Sequence, residues 1–155
     1  GCRRIDFLAR PGSAPTVMLR IAGYREALLG SGITPDPGWI HSAEPADERS
    51  VERMVAGGAN AVICANDLTA ANLMRTLDAL GCPVPEQVRV AGLDDVRYAE
   101  LLRPPLTTIH QPCADIGTIA MQAMLERIKN PASPPRDILA QPTLIVRQSC
   151  GSGLR

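Results

Sequence analysis

The run Ala61-Val62-Ile63-Cys64-Ala65 constrains the fold more than any other stretch of the chain. Five apolar residues without alternation suit a strand covered on both faces, as at the centre of a parallel sheet. Asn66-Asp67 follows at once, and Asp67 is a good helix N-cap. A helical stripe comes next: Ala70, Leu73, Met74, Leu77 and Leu80, closed by Gly81 at the natural C′ position. After Pro83 and Pro85, Val88 to Leu93 forms a second apolar run, ending in Asp94-Asp95. A strand, a helix and a strand in this order read as a crossover unit of a parallel sheet.

The same alternation extends upstream. Arg4 to Ala9 reads as a strand with apolar bulk from Ile5, Phe7 and Leu8, followed by a turn-rich stretch from Arg10 to Pro15. Thr16 can cap a helix to about Leu29, whose stripe is Val17, Ile21, Tyr24 and Leu28 and whose stop is Gly30 with Gly32. Trp39 to Ser42 is a short strand. Pro45 stands where a helix start tolerates proline, and Val51, Met54 and Val55 form the buried face of that helix, which Gly57-Gly58 end. The order βαβαβαβ points to an α/β fold, a doubly wound parallel sheet with helices on both faces and right-handed crossovers. With 45% hydrophobic but only 3% aromatic residues, the core must rest on Leu, Ile, Val, Met and Ala.

From Arg103 the pattern changes. Arg103-Pro104-Pro105 breaks any helix, and Leu106 to His110 is extended, with β-branched Thr107, Thr108 and Ile109. A helix from about Asp115 to Lys129 carries Ile116, Ile119, Ala120, Ala123, Met124 and Ile128, a wide apolar face that needs a partner surface. A proline-rich loop spans Asn130 to Pro135, a final strand Leu139 to Arg147, and a tail from Gly151 to Arg155 that should fray.

Composition and motifs exclude several functions. Lys+Arg and Asp+Glu are both 16, so there is no basic excess for phosphate binding by this segment itself. The five cysteines are odd in number and include no C-x-x-C, which indicates neither a zinc site nor a disulfide framework and fits a reducing cytoplasm. Cys64 reads as a small buried hydrophobe. No stretch is apolar enough to span a bilayer, and the N-terminus does not read as a signal peptide. No H-E-x-x-H, G-x-S-x-G, P-loop or G-x-G-x-x-G motif occurs, so no catalytic residue, metal or cofactor is expected and His110 reads as structural.

Four strings, "RIAGYREAL" (20–28), "CANDLTA" (64–70), "VAGLDD" (90–95) and "RPPLTTIHQP" (103–112), resemble in order and spacing the effector-binding domain of LacI/GalR-type transcriptional regulators. That resemblance covers nearly the whole chain. It implies a periplasmic-binding-protein-like fold of two subdomains around a ligand cleft. Residues 1–103 and 139–151 would be the C-terminal subdomain, and 104–138 a crossover strand and helix belonging to the N-terminal one. A DNA-binding headpiece would lie outside this chain. The helix from Asp115 would be covered by another copy or by more of the same polypeptide. Arg20, Asn66 and Asp94 match effector-binding positions, and Asn66 and Asp94 also follow consecutive strands, where ligands of open α/β sheets bind. On the residues alone, Asp94 and Asp95 could equally be turn or capping residues, Asn66 a satisfier of loop backbone, and Arg20 a solvated helix residue. Pro45 stands where relatives often have an aromatic wall, and Cys113 follows "HQP". The resemblance further implies a small polar effector such as a sugar, a cytoplasmic homodimer and contact with DNA only through the headpiece. Ala71, Met74, Leu101 and Leu102 are candidates for the dimer contact or, alternatively, for packing inside one subunit. The rival reading on the same fold is a periplasmic sugar-binding protein of a transporter.

Overall fold

The computed structural model describes residues 2–153. Gly1, and Leu154-Arg155 at the end of the tail expected to fray, lie outside the described residues. Four strands form a parallel sheet: β1 (Ile5–Ala9), β2 (Ile40–Ser42), β3 (Ala61–Cys64) and β4 (Arg89–Ala91), in the order β2-β1-β3-β4. The register sets Phe7 beside Ile40 and Ile63, and Ile63 beside Ala91. The expected order of strands and helices is what the chain adopts.

The sheet is covered on both sides because successive side chains point to opposite faces. Phe7 and Ala9 face α1 (Thr16–Gly30) and pack with Val17, Ile21, Tyr24 and Leu28, the four stripe residues read from the sequence. Leu8, Val62, Cys64 and Val90 face the other way, onto Val51 and Met54 of α2 (Glu48–Ala56) and Leu73, Met74 and Leu77 of α3 (Asp67–Ala79). Each wholly buried leucine in this layer contributes about 2 kcal/mol of transfer free energy. Burial pushes the Cys64 thiol well above its usual range, which leaves it as inert apolar volume.

Several local expectations are corrected. Thr16 is the first residue of α1 rather than its cap; Pro15 holds that position and no side chain bonds the helix start. Trp39 lies in a 3-10 turn (Pro37–Trp39) rather than in β2, with Asp36 accepting from the Gly38 amide. At α3 the roles of two neighbours are exchanged: Asn66 is the N-cap, and Asp67 is the first helical residue, fully buried. Val55 is half-buried rather than part of the closed core.

The chain beyond β4 runs back alongside it. Gly92 N–H donates to the Thr107 carbonyl and Asp94 N–H to that of Ile109, both at 2.9 Å, with parallel bridges at Ala91–Thr107 and Asp94–His110. Leu106 and Thr108 are wholly buried. The segment from Leu106 thus stays packed alongside the body as far as the Asp94–His110 bridge. β5 (Thr108–His110) pairs antiparallel with β6 (Thr143–Ile145), so the last strand is shorter than the expected Leu139–Arg147. The chain re-joins the body at a 3-10 turn (Gln148–Cys150), where buried Ser149 donates to the Val90 carbonyl and accepts from Thr107 N–H. Between β5 and β6, α4 (Cys113–Lys129) starts two residues earlier than the spacing suggested and buries none of its residues; Ile116, Met121, Met124, Leu125 and Ile128 are all exposed.

One buried charge cluster sits inside β1. Asp6 has no exposed surface; its two oxygens accept from Arg4 at 2.9 and 3.1 Å, and His41 Nε2 lies 2.7 Å from Oδ2. Burial alone would raise the Asp6 carboxyl, but the hydrogen bonds from His41 and Arg4 outweigh it and hold the group below the usual carboxylate range. A depressed folded-state value contributes stability that is complete above the unfolded value near pH 4 and is lost as pH falls through the folded one. Thermal melts from pH 7 down to about pH 3 should therefore fall more steeply for the wild type than for Asp6→Asn; parallel curves would exclude this cluster as an acid-labile element.

Candidate functional site

At the carboxyl end of the sheet, the loops after β1, β3 and β4 surround a cleft of about 430 Å³. Its lining includes Arg10, Ser13, Arg20, Asn66, Thr69 and Asp94. The three residues singled out from the sequence thus meet in one place, each brought by a different element. Arg20 reaches across from the second turn of α1 and donates through Nη1 to the Ala65 carbonyl at the end of β3. That bond fixes the guanidinium over the strand end and leaves its remaining N–H groups available.

Asn66 is held by its own helix. Its Oδ1 accepts from the Thr69 amide at 2.9 Å and from the Thr69 hydroxyl at 2.7 Å. The bland reading, satisfaction of backbone, is therefore true of the oxygen. The amide NH₂ is the half left for a guest. Asp94 comes from the loop after β4 in an unusual backbone conformation, φ 129°, followed by Asp95 at φ 53°. Two consecutive non-glycine residues at positive φ are costly and persist only where the surroundings hold them. Here the hold is visible: Asp94 N–H bonds Ile109, its Oδ1 accepts from Gln111 Nε2 at 2.6 Å, and Asp95 N–H reaches the Thr108 hydroxyl at 3.3 Å.

Burial pushes the Asp94 carboxyl above the usual carboxylate range, and the Asp67 charge adds to this, while Gln111 and Arg20 pull it down. The cleft therefore offers guanidinium and amide donors beside a carboxylate acceptor. That set pairs with vicinal hydroxyls or with a ring presenting both donors and acceptors. Among the described residues no aromatic side chain lines the cleft. Pro45, expected at an aromatic-wall position, is buried away from the cleft, and its carbonyl accepts from Thr76 at 2.8 Å.

A groove of similar size, about 470 Å³, runs along the outer side of β2 past Arg4, His41, Ser42, Glu44 and Arg53. Its cations are already engaged: Arg4 by Asp6 and the Gly57 carbonyl, Arg53 by the Arg49 carbonyl and the Ser50 hydroxyl. The cleft at the strand ends keeps further N–H groups of Arg20 and the Asn66 amide NH₂ outside the hydrogen bonds described above. Among the described residues no group of three or more His, Cys, Asp or Glu could hold a metal ion, and no helix is long and apolar enough to cross a membrane.

Three residues of the site region escaped sequence reasoning. Arg10 lines the cleft and is braced by Glu44 at 2.9 Å. Gln111 grips Asp94, and its place in "HQP" gave only a spacing signal. Asp67 is not a cap but a buried acceptor behind the strand ends, with Oδ1 accepting from the Thr108 hydroxyl at 2.5 Å and Oδ2 from Val96 N–H at 3.0 Å.

The residues considered for a subunit contact divide. Met74 is only 6% exposed and packs in the chain's own core. Leu102 also packs against that core and Ala71 is half-buried. Leu101 is 75% exposed, and Leu68 and Tyr98 beside these elements are exposed as well.

The profile of the periplasmic binding protein-like domain matches residues 1–150. Over 96% of its length the chain is 30% identical to the ribose operon repressor of Haemophilus influenzae, covering 46% of that protein. The structure of the transcriptional regulator CelR in complex with cellobiose superposes with a TM-score of 0.86 at 33% identity, over 96% of this chain and 47% of the other. A putative LacI-family regulator from Sanguibacter keddieii gives a TM-score of 0.83 at 31% identity, over 96% of this chain and 58% of the other. The chain thus spans about half the length of the curated relatives it matches.

Proposed function

Since the chain belongs to the periplasmic binding protein-like domain family, we propose that it is the effector-sensing part of a DNA-binding transcriptional repressor. The single observation that carries this reading is the convergence of Arg20, Asn66 and Asp94 on one cleft, each with hydrogen-bonding capacity unspent. The relatives named above are repressors or transcriptional regulators, which favours this over a periplasmic solute-binding protein. In this reading the chain binds its effector without transforming it and works in the cytoplasm.

The cleft is one wall of a two-walled site. β5, α4 and β6 leave the body after Thr108 and return at Arg147, and α4 buries none of its residues, with Ile116, Met124 and Ile128 of its apolar face exposed. The other half of the same polypeptide would cover that face and close the cleft. The effector is a small polar metabolite, a sugar or a compound of similar hydroxyl and amide chemistry. Binding between the halves favours one arrangement by differential affinity, and a dimer passes this to DNA-binding headpieces. Leu68, Tyr98 and Leu101, each exposed, are the residues on this half best suited to the dimer contact.

The test uses the full-length protein and the DNA upstream of its own gene. A panel of mono- and disaccharides, cellobiose and ribose included, and of nucleobases is screened by thermal melting, since a ligand of the native state raises Tm. A compound that raises Tm is expected to change the affinity for that DNA. Stabilisation with unaltered DNA binding would overturn the regulator reading.

A further inference from the structure

The loop that presents Asp94 to the cleft is tied by its next residue to both segments of chain that connect the body to α4. Asp95 Oδ1 accepts from Arg147 Nη2 at 2.8 Å, on the returning segment. Asp95 Oδ2 lies 3.1 Å from His110 Nδ1, on the departing one. Arg147 is itself anchored: Nη1 donates to the Leu106 carbonyl at 2.9 Å, and its backbone N–H and carbonyl both bond the Thr107 hydroxyl, at 2.8 and 3.0 Å. Both the aspartate and the arginine are less than one-fifth exposed, so this bond is shielded from water far more than an ordinary surface pair. Burial alone would raise the Asp95 carboxyl, but Arg147 and then His110 hold it below the usual carboxylate range.

We propose that Asp95 is a positioning residue that couples the cleft loop to the two connecting segments, so that a change at Asp94 alters how α4 and its half are set relative to the sheet. The inference rests on the reading of the cleft as an effector site, but its test needs no effector. The physical basis is a short mechanical chain. Asp94 and Asp95 share a loop at positive φ, a conformation that stays only while its bonds hold. A guest drawing on Asp94 competes with Gln111 and shifts that loop, and the one carboxylate that spans both connecting segments moves with it. Two segments held through one side chain are displaced together rather than independently. Ion pairs elsewhere, such as Arg10–Glu44, join exposed groups on one side of the cleft and cannot do this.

The experiment uses the full-length protein with its accessible cysteines replaced by serine and spin labels at Glu52 on α2 and Ser133 beyond α4. Pulsed electron spin resonance reads the distance between body and connecting half. The wild type should give a narrow distribution, Asp95→Asn one about twofold broader, and Asp95→Glu a return towards the wild type, with hydrogen exchange in β1 and β3 unaltered in all three. Asp94→Gly, which relieves the positive φ, should shift the mean distance in the wild-type background and leave it unmoved when combined with Asp95→Asn. Should Asp95→Asn fold poorly, Arg147→Gln cuts the same bond from the other side. An unaltered distribution overturns the proposal. So does broadening that comes only with faster hydrogen exchange in β1 and β3, since that is general loosening.

Discussion

Asp67→Ala should lower the unfolding free energy by about 3 kcal/mol, read as a shift in urea midpoint at unchanged slope. The expectation follows from what the carboxylate holds. It is wholly buried, accepts from the Thr108 hydroxyl and the Val96 amide, and so joins the start of α3 to the strand that leaves the sheet and to the loop after Asp95. Alanine leaves a half-buried amide and a buried hydroxyl without their acceptor, the hydroxyl costing about 1–3 kcal/mol and the amide less, beside a small void. It also removes a negative group from the first turn of a helix, where the dipole favours one. Asp67→Asn should cost less, about 1–2 kcal/mol, because one oxygen survives while the NH₂ faces a donor. Equal loss in the two variants would show that volume, not acceptance, is what the site requires.

Gly92→Ala should be comparably damaging, by about 3 kcal/mol, although it adds only a methyl group. A Cβ at residue 92 would lie against Asp67 Oδ1 closer than real atoms approach, and would meet Leu106 Cδ2 at 3.1 Å and Asp67 Cα at 3.3 Å. Retreat is blocked on both sides. Gly92 N–H is bonded to Thr107, and Asp67 N–H to the Leu93 carbonyl, both at 2.9 Å. Gly23→Ala is the internal control: it lies mid-helix in α1 with nothing within 4 Å of an added Cβ, and should stabilise by about 0.5–1 kcal/mol. The opposite signs separate close approach from helix propensity in a single pair of melts.

Where a periodic apolar pattern decides the structure, the sequence was a good guide. Val17, Ile21, Tyr24 and Leu28 are buried as a set, and the run through Val62 and Cys64 is one of the two inner strands, because burial of a stripe or a run leaves a regular trace. Polar residues were harder. Asn66 and Asp67 are both good caps, and only the packing of Thr108 and Val96 beneath the helix decides that Asp67 turns inwards and Asn66 caps. Asp6 lies in an otherwise apolar strand, and its partners stand at Arg4 and at His41, thirty-five positions away, a pairing no local pattern marks. Met74 carried the same helical spacing as its neighbours, yet its position relative to a partner surface depends on which way α3 rolls against the sheet.

The site was legible in part for a topological reason. Parallel strands in one sheet bring their following loops to one edge, so Asn66 and Asp94 had to be neighbours once β3 and β4 paired. Arg20 was less determined, since its reach depends on the angle of α1. The strained loop at Asp94-Asp95 and its ties to Gln111, His110 and Arg147 were not legible, because each joins residues of different segments through side chains.

The central claim is that Arg20, Asn66 and Asp94 form the effector-contacting face of the cleft. Calorimetric titration of the compound that stabilises the full-length protein into Arg20→Ala and Asp94→Ala tests it most directly. The expected result is a loss of about 10- to 100-fold in affinity for each variant, the value of a hydrogen bond to a charged group. Wild-type affinity in both would contradict the claim and move the site elsewhere.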